Sequence, residues 1–528
     1  MISLADVEEL MTDGLTYQET LNIIRRKNSM QYRSFDFGDR VKPEIVVTDG
    51  IMGSGKSEGL IHALREGMSN GQAFKECYLI IVPYLGEVQR YIDDLPELSF
   101  AQPEASNGNN KRDDFLRLVQ DGRNIVTTHA MFQLWGSQVR DEISNSRYNI
   151  IIDEEVACIE PIEMTKKSYQ ELCSMDYISV EETGEVKWDF DKSGEPDTYD
   201  GRFKDIMNYC ISGSVFLFEK TQKTKVFMVW NLPTDFFEVG KTIRVMTFRF
   251  KHSIIRAYFD IHKMPYRVEY VNKETQKLRH ERATKFIDLV TIPNNIQQHI
   301  IGKTALSHSW NRNQTADVLK DIRTKMSNWI RNTIGATADN LIYTCAKSLA
   351  DHTKTKHLVL PRFRNKEVTE ENKKAGVTNL GPWLPFNTNG TNSFADKTVV
   401  LYMHNVYPNV TLTKFFTDND VYFDEDEYAV SCMVQFIWRA AIRKREPEMI
   451  KLIIPSLRMK KLFEEWRDSE LEFEAAAPSY KLLSPQGLLM EFNNLSDFCM
   501  INDIDKGNIS KVLSGERNSH KGWRLNSK

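Results

Sequence analysis

Residues Gly50-Ile51-Met52-Gly53-Ser54-Gly55-Lys56-Ser57 leave this chain few folds to choose from. The apolar run Glu44-Ile45-Val46-Val47-Thr48 ahead of them reads as a buried strand, and Glu58 to Arg65 behind them reads as a helix. A glycine-rich turn between strand and helix lets backbone N–H groups close around phosphate oxygens, with the positive end of the helix dipole behind them. In that arrangement Gly50, Met52, Gly53, Ser54 and Gly55 form the cradle. Lys56 reaches the β- and γ-phosphates, and the Ser57 hydroxyl holds Mg2+. The expected ligand class is a nucleotide.

From about residue 40 to 250, short apolar runs alternate with helical patterns: 44–48, 77–82, 124–126, 148–152, 226–230 and 242–246. Runs this short and this rich in Ile and Val fit strands buried on both faces, and the alternation fits a doubly wound parallel-sheet α/β lobe. Residues 174–202 are acidic and turn-rich, and read as a surface insertion. A second alternating region runs from about 265 to 470, with expected strands at 267–271, 341–344, 357–360, 399–403 and 451–454 and a long helix at 315–334. Residues 471–485 read as a linker. The expected division is therefore 1–260, 261–470 and a small unit within 471–528.

The strand ending in Ile150-Ile151-Ile152 runs into Asp153-Glu154-Glu155-Val156, the Walker B arrangement. The first acid completes Mg2+ coordination and the second polarises the water that attacks the γ-phosphate. Two other strand ends belong to this lobe: Val82-Pro83-Tyr84, with Glu87 after it, and Thr127-Thr128-His129. Ligands of open α/β sheets bind at the carboxyl ends of strands, although turn chemistry and helix capping are the favoured account of either spot taken alone.

Seven cysteines at 77, 158, 173, 210, 345, 432 and 499 show no metal-ligand spacing, so neither zinc nor a disulfide framework is expected. No run of 18 apolar residues exists, and the first nine residues are acidic with no basic leader, which together predict a protein of the cell interior that makes no use of a membrane. The net charge of −4 advertises no general affinity for nucleic acid, so any such surface must be local.

This ordered set resembles a superfamily 2 helicase of the DEAD/DEAH-like kind found in bacteriophage genomes. The phosphate loop is similar to motif I, the Pro83 region to motif Ia, Thr127-Thr128-His129 to the strand-end motif after it, and Asp153-Glu154-Glu155-Val156 to motif II. Val245-Met246-Thr247-Phe248 stands in the place of motif III, and Tyr343-Thr344-Cys345-Ala346-Lys347 in that of motif IV. Asn387-Thr388-Asn389-Gly390-Thr391-Asn392 with Asp396 looks like motif V. Gln435-Phe436-Ile437-Trp438-Arg439-Ala440-Ala441-Ile442-Arg443 looks like motif VI, with Trp438 in place of the family glycine and the last arginine one position late. The resemblance implies two RecA-like lobes with ATP and Mg2+ between them, and DNA across their top. It gives catalytic roles to Lys56, Glu154, Gln435, Arg439 and Arg443, metal contacts to Ser57 and Asp153, and nucleotide contacts to Gly390 and Asp396. DNA contacts fall to Pro83, Thr127, Thr128, His129, Thr391 and Asn392.

The last stretch is different. Leu495 and Phe498, then Ile509, Val512 and Leu513, fall at helical spacing, and Lys506 to Lys528 holds six Lys or Arg against one acid, Glu516. Two short helices with a turn and a local basic surface fit a helix-turn-helix DNA module. The segment is similar to the modular DNA-binding repeats attached to intron-encoded homing endonucleases, with Lys511, Arg517, Lys521 and Arg524 as the expected contacts. The leading expectation is an ATP-dependent DNA helicase or translocase. A packaging-type motor ATPase and an ATP-clamped initiator without turnover stand as alternatives.

Overall fold

The computed structural model describes residues 42–525, apart from 70, 72, 106–109, 194–198, 223–224, 364–381, 387–393, 420, 472–479, 486, 493–497, 500–501, 503 and 514–516. The chain divides into two compact units, Met1–Ser469 and Glu470–Lys528.

In the first unit, β1 (Glu44–Asp49), β2 (Tyr78–Val82), β3 (Ile125–Thr128) and β4 (Asn149–Asp153) are short and apolar, and each ends in a polar residue or a loop that carries chemistry. The chain then leaves the parallel sheet for an antiparallel one, β5 (Ile159–Thr165), β6 (Ile178–Val180), β7 (Glu185–Trp188), β8 (Ser214–Gln222) and β9 (Lys225–Asn231), ordered β5-β9-β8-β7-β6. It returns with β10 (Thr242–Thr247) and β11 (Tyr266–Tyr270), closing a six-stranded parallel sheet of order β11-β1-β10-β4-β2-β3.

Strand alternation covers both faces of that sheet. Ile45, Val47, Leu79, Ile81, Ile150, Ile152 and Val245 point into one apolar cluster, while Ile80, Val82, Val126, Ile151 and Met246 point into another with Ile61 and Leu64 of helix Lys56–Ser69. Each such fully buried aliphatic side chain contributes about 1.5–3 kcal/mol. The parallel sheet is therefore held from both sides, and all six strands deliver their carboxyl ends to one edge.

A second parallel sheet, ordered β12-β15-β14-β13, is built from β12 (Ile287–Val290), β13 (Leu341–Cys345), β14 (Val399–Met403) and β15 (Ile450–Ile453). It too is covered on both faces, with Ile342, Val400, Tyr402 and Leu452 on one and Leu341, Tyr343, Leu401 and Ile453 on the other. The expected fold class of two doubly wound parallel-sheet lobes is what the chain adopts.

Four expectations are corrected. The strand near 267–271 does not open the second lobe: Val47 pairs with Val268 and Asp49 with Tyr270, so the first sheet runs past residue 260. The run 226–230 lies in the antiparallel sheet, and the insertion therefore spans more than 174–202. Its aromatic content (Trp188, Phe203, Trp230) continues the apolar cluster on one face of the parallel sheet, joined by Leu412 and Phe416 from helix Val410–Asp418 of the second lobe. Residues 357–360 form no strand: they are buried as irregular chain against the second sheet.

The C-terminal unit, finally, is not purely helical. Its strands β16 (Tyr480–Leu483), β17 (Leu489–Phe492) and β18 (Arg524–Leu525) form an antiparallel sheet, and β16 starts inside the expected linker. Helix Lys506–Leu513 packs Ile509 and Val512 with Leu482, Phe498 and Trp523, the last two rings edge to face at 4.8 Å.

Candidate nucleotide site

Register carries the site together before any side chain is considered. Asp49 is level with Thr247, Met246 with Asp153, and Val82 with Thr128. The loops after β1, β10, β4, β2 and β3 consequently open at the same edge, where open parallel sheets bind ligands.

Between β1 and helix Lys56–Ser69, Gly53 (φ +72°) and Gly55 (φ +92°) adopt left-handed conformations that a side chain disfavours. A Cβ at Gly50 would meet Ser54 Oγ at 2.7 Å and Val271 at 3.3 Å, so a larger residue there would have to push the Ser54 hydroxyl aside. Lys56 folds back to donate to the Gly50 carbonyl. Burial lowers its pKa, opposed by the nearby carboxylates Asp49, Asp153 and Glu154. Ser57 Oγ donates to Asp153 at 3.0 Å, and Tyr91 OH donates to the same carboxylate oxygen at 2.8 Å.

Glu154 follows in the left-handed region (φ +67°), a conformation costing roughly 1–3 kcal/mol in a non-glycine residue and typical of functional sites. Burial first, and then repulsion from Asp153, pushes its carboxyl up to about 7, against the pull of Lys56, Arg439 and Arg443. One of its carboxyl oxygens is buried with no hydrogen-bond partner among the described residues. Glu155 is also driven up to about 7 by burial, but its role differs: it accepts from Thr247 Oγ1 at 2.7 Å.

The second lobe brings the two arginines. Helix Glu425–Ile437 ends at Trp438, and Arg439 and the short 3-10 turn Ala441–Arg443 follow. Arg439 is buried over the Phe436 ring (5.8 Å), with one guanidinium nitrogen lacking a partner among the described residues. Burial depresses the pKa of both arginines, and the Glu154 carboxylate is the first charge that opposes this in each. Arg443 also feels Glu87 and Asp153, and Lys56 in turn feels Arg443. Thus Lys56, Ser57, Asp153, Glu154, Arg439 and Arg443 converge.

Other residues expected at the site lie elsewhere or do other things. Gln435 donates to Ser431 on its own helix at 3.3 Å. Asp396 is exposed and paired with its neighbour Lys397 at 2.6 Å. Thr128 caps helix His129–Gln133 by accepting from Met131 N at 3.4 Å, and Thr127 is buried. His129 Nε2 meets the Asp153 carbonyl at 2.9 Å, and burial pulls its pKa down to about 4. As a carbonyl only accepts, the neutral ring donates from Nε2 and steadies the acidic loop. Pro83 is half-buried at the end of β2. Gly390, Thr391 and Asn392 lie outside the described residues. Arg517 bonds Asn508 at 2.8 Å in the C-terminal unit, where Lys511, Lys521 and Arg524 are exposed.

Three contributors were not anticipated. Tyr91 is one. Gln276 accepts from Ile51 N at 3.2 Å and donates to Val271 O at 2.6 Å, holding the entry to the phosphate loop. Arg279 lies over that loop, its guanidinium carbon 3.6 Å from where a Gly53 Cβ would stand, with one nitrogen buried and unpartnered among the described residues. The last two sit on helix Lys273–Lys285, which is polar almost all round yet buries Gln276 and His280, and only its tertiary contacts reveal this.

These features suit a nucleoside triphosphate with Mg2+. The donors left unpaired on Arg439 and Arg279 and the backbone cradle match an anionic chain, and a hydroxyl beside one carboxylate is the donor set Mg2+ takes when phosphates and waters complete its shell.

Fold and site define a two-lobed, parallel-sheet α/β protein with a glycine-rich strand-to-helix loop in one lobe and an arginine pair in the other. Residues 281–467 match the family described as the YonV C-terminal Rossmann-like domain. Over 449 residues, 82% of this chain and the whole of the relative, the sequence is 25% identical to the SPbeta prophage-derived uncharacterized protein YonV of Bacillus subtilis (strain 168). The solved structure XPD_APO aligns over 85% of this chain and 97% of its own, with 12% identity and a TM-score of 0.42. Among the described residues no helix is long and apolar enough to cross a membrane.

Proposed function

We propose that this chain is an ATP-dependent DNA motor, a helicase or translocase that hydrolyses ATP between its two parallel-sheet lobes, in the setting of phage DNA replication, recombination or repair. The observation that carries this reading is the meeting of Arg439 and Arg443 from the second lobe with Glu154 and Lys56 of the first. A site that requires both lobes couples the state of the nucleotide to the angle between them, which is what a motor needs.

In this reading the phosphate loop and Lys56 hold the triphosphate, with Arg279 as an added cation beside the loop. Mg2+, held by Ser57 and Asp153, supplies neutralisation of phosphate charge. Glu154, raised to about 7, accepts the proton of the attacking water as the bond from the γ-phosphorus to its bridging oxygen breaks. Arg439 and Arg443 offset the charge that develops on the transferred group. The prophage source of the YonV relative supports the phage setting. The exposed cations of the C-terminal unit, Lys511, Lys521 and Arg524, support a DNA-holding role for it.

The test is ATP turnover with and without single-stranded DNA. A motor shows turnover that DNA stimulates. Equal turnover in both conditions would remove DNA from the reading, and tight ATP binding without turnover would favour the clamp alternative.

A further inference from the structure

Helix Lys273–Lys285 reads Lys-Glu-Thr-Gln-Lys-Leu-Arg-His-Glu-Arg-Ala-Thr-Lys, almost without apolar residues, and its most exposed apolar side chain, Leu278, faces solvent. Ala283 is buried in the second lobe's apolar core, but so small an apolar contribution leaves most of the helix's fixation to polar bonds. Those bonds run to two distant loops. Near its start, Gln276 accepts from Ile51 N at 3.2 Å and donates to Val271 O at 2.6 Å. Six residues later, Arg282 Nη1 donates to Ile442 O at 2.9 Å and Lys444 O at 2.7 Å, with Nη2 3.3 Å from Arg445 O. The two carbonyls that Arg282 grips flank Arg443. Gln276, Arg279 and Arg282 are three apart, on one face of the helix. Between them His280 locks the helix to the second lobe through the Trp466 carbonyl (2.9 Å) and ring (4.6 Å).

We propose that helix Lys273–Lys285 is a rigid strut linking the phosphate loop to the arginine loop, and that Arg282 is the positioning residue that holds Arg443 at the nucleotide. The inference rests on the nucleotide-hydrolysis reading and deepens it by naming the element that connects the two halves of the site. Gln276 reports the state of the phosphate loop at one end. Arg282 sets the Ile442–Lys444 backbone at the other, about 9 Å away along the helix axis. Arg282 itself touches no nucleotide. Its effect passes through Arg443, and a misplacement of about 1 Å in such a group costs about 100-fold in rate.

The test uses the full chain, a fluorescent non-hydrolysable ATP analogue for affinity, ATP turnover for catalysis and amide exchange for the loop. Arg282→Ala should lower kcat about 100-fold while analogue affinity stays within about threefold. Arg282→Lys, which can still donate to both carbonyls, should recover most of the rate. In an Arg443→Ala background, Arg282→Ala should cost nothing further, because the two act as one unit. Analogue binding should slow amide exchange in 441–445 in the wild type and fail to do so in Gln276→Ala.

Multiplicative losses in the double variant, or an Arg282→Lys protein that melts normally yet is as slow as Arg282→Ala, would overturn the strut. Should Arg282→Ala fold poorly, Arg282→Lys and the exchange measurement on Gln276→Ala carry the test. Affinity is read in the same samples as exchange. Absence of analogue binding sinks the nucleotide reading, whereas binding that leaves exchange in 441–445 unaltered in the wild type sinks the strut alone.

Discussion

The Thr247 hydroxyl donates to Glu155 at 2.7 Å, which separates the two adjacent glutamates of the acidic loop into different jobs. Glu155 is engaged by the end of β10, while Glu154, turned by its left-handed backbone, stands among Lys56, Arg439 and Arg443. β10 lies between the phosphate-loop strand and the acidic strand, so Thr247 bridges them.

Removing the proton acceptor should separate binding from turnover. Glu154→Gln keeps the shape of the site, so nucleotide affinity should persist while turnover falls by about 10²–10⁴. Lys56→Ala should abolish nucleotide affinity outright. Titration with a fluorescent ATP analogue and a phosphate-release assay check both, and normal hydrolysis in Glu154→Gln would refute the assignment of the base.

The rate should follow the titration of the same group. Glu154 works unprotonated, and its carboxyl is held up to about 7. Turnover should therefore rise about tenfold per pH unit below 7 and level off above it. A profile flat from pH 5 to 8 would assign proton acceptance elsewhere.

Glu155 makes a stability prediction of known sign. Its folded pKa of about 7 exceeds the ordinary glutamate value of 4.5, so between those pH values the folded chain binds more protons than the unfolded one. Stability from this group is present below 4.5 and is lost as pH rises towards 7. Glu155→Gln, which cannot ionise, should melt close to wild type at pH 5 and about 2 °C or more above it at pH 8. Thermal melts at the two pH values decide it, and a gap that is the same at both would contradict the shift.

Arginine identity should matter. Arg439→Lys and Arg443→Lys retain charge but lose the planar fork, and each should reduce turnover by at least about 10-fold with little change in affinity. Alanine at either position should cost about 10³-fold or more. Single-turnover measurements separate these losses from slow product release.

Truncation after Glu470 should leave ATP turnover intact and weaken DNA binding. With Lys511, Arg517, Lys521 and Arg524 gone, the salt dependence of affinity should flatten by up to about 3.6 in slope, near 0.9 for each phosphate no longer neutralised. An unchanged slope would remove DNA from the role of that unit.

Local chemistry is legible in the order of residues, because phosphate loops and strand-end acids are written in contiguous stretches. Ser57 and Asp153 can be paired on that basis alone, and they lie 3.0 Å apart. The two parallel sheets are legible too, since strands buried on both faces must be short and apolar. Sequence reading misplaces elements whose neighbours are remote in the chain. Residues 226–230 look like any buried strand, and only pairing with 159–165 puts them in an antiparallel sheet. The run near 267–271 looks like a beginning and is an edge strand of what precedes it.

The same limit applies to His129 and Gln276. A histidine after a strand and a glutamine on a polar helix carry no local mark of function. Their roles come from the Asp153 carbonyl and the Ile51 amide they meet. By itself, then, the sequence determined which chemical groups this protein owns and the two-lobed scaffold that displays them, because covalent spacing and burial periodicity are local properties. Tertiary structure alone decided which groups face one another, because hydrogen bonds and charge pairing act through space and are indifferent to distance along the chain.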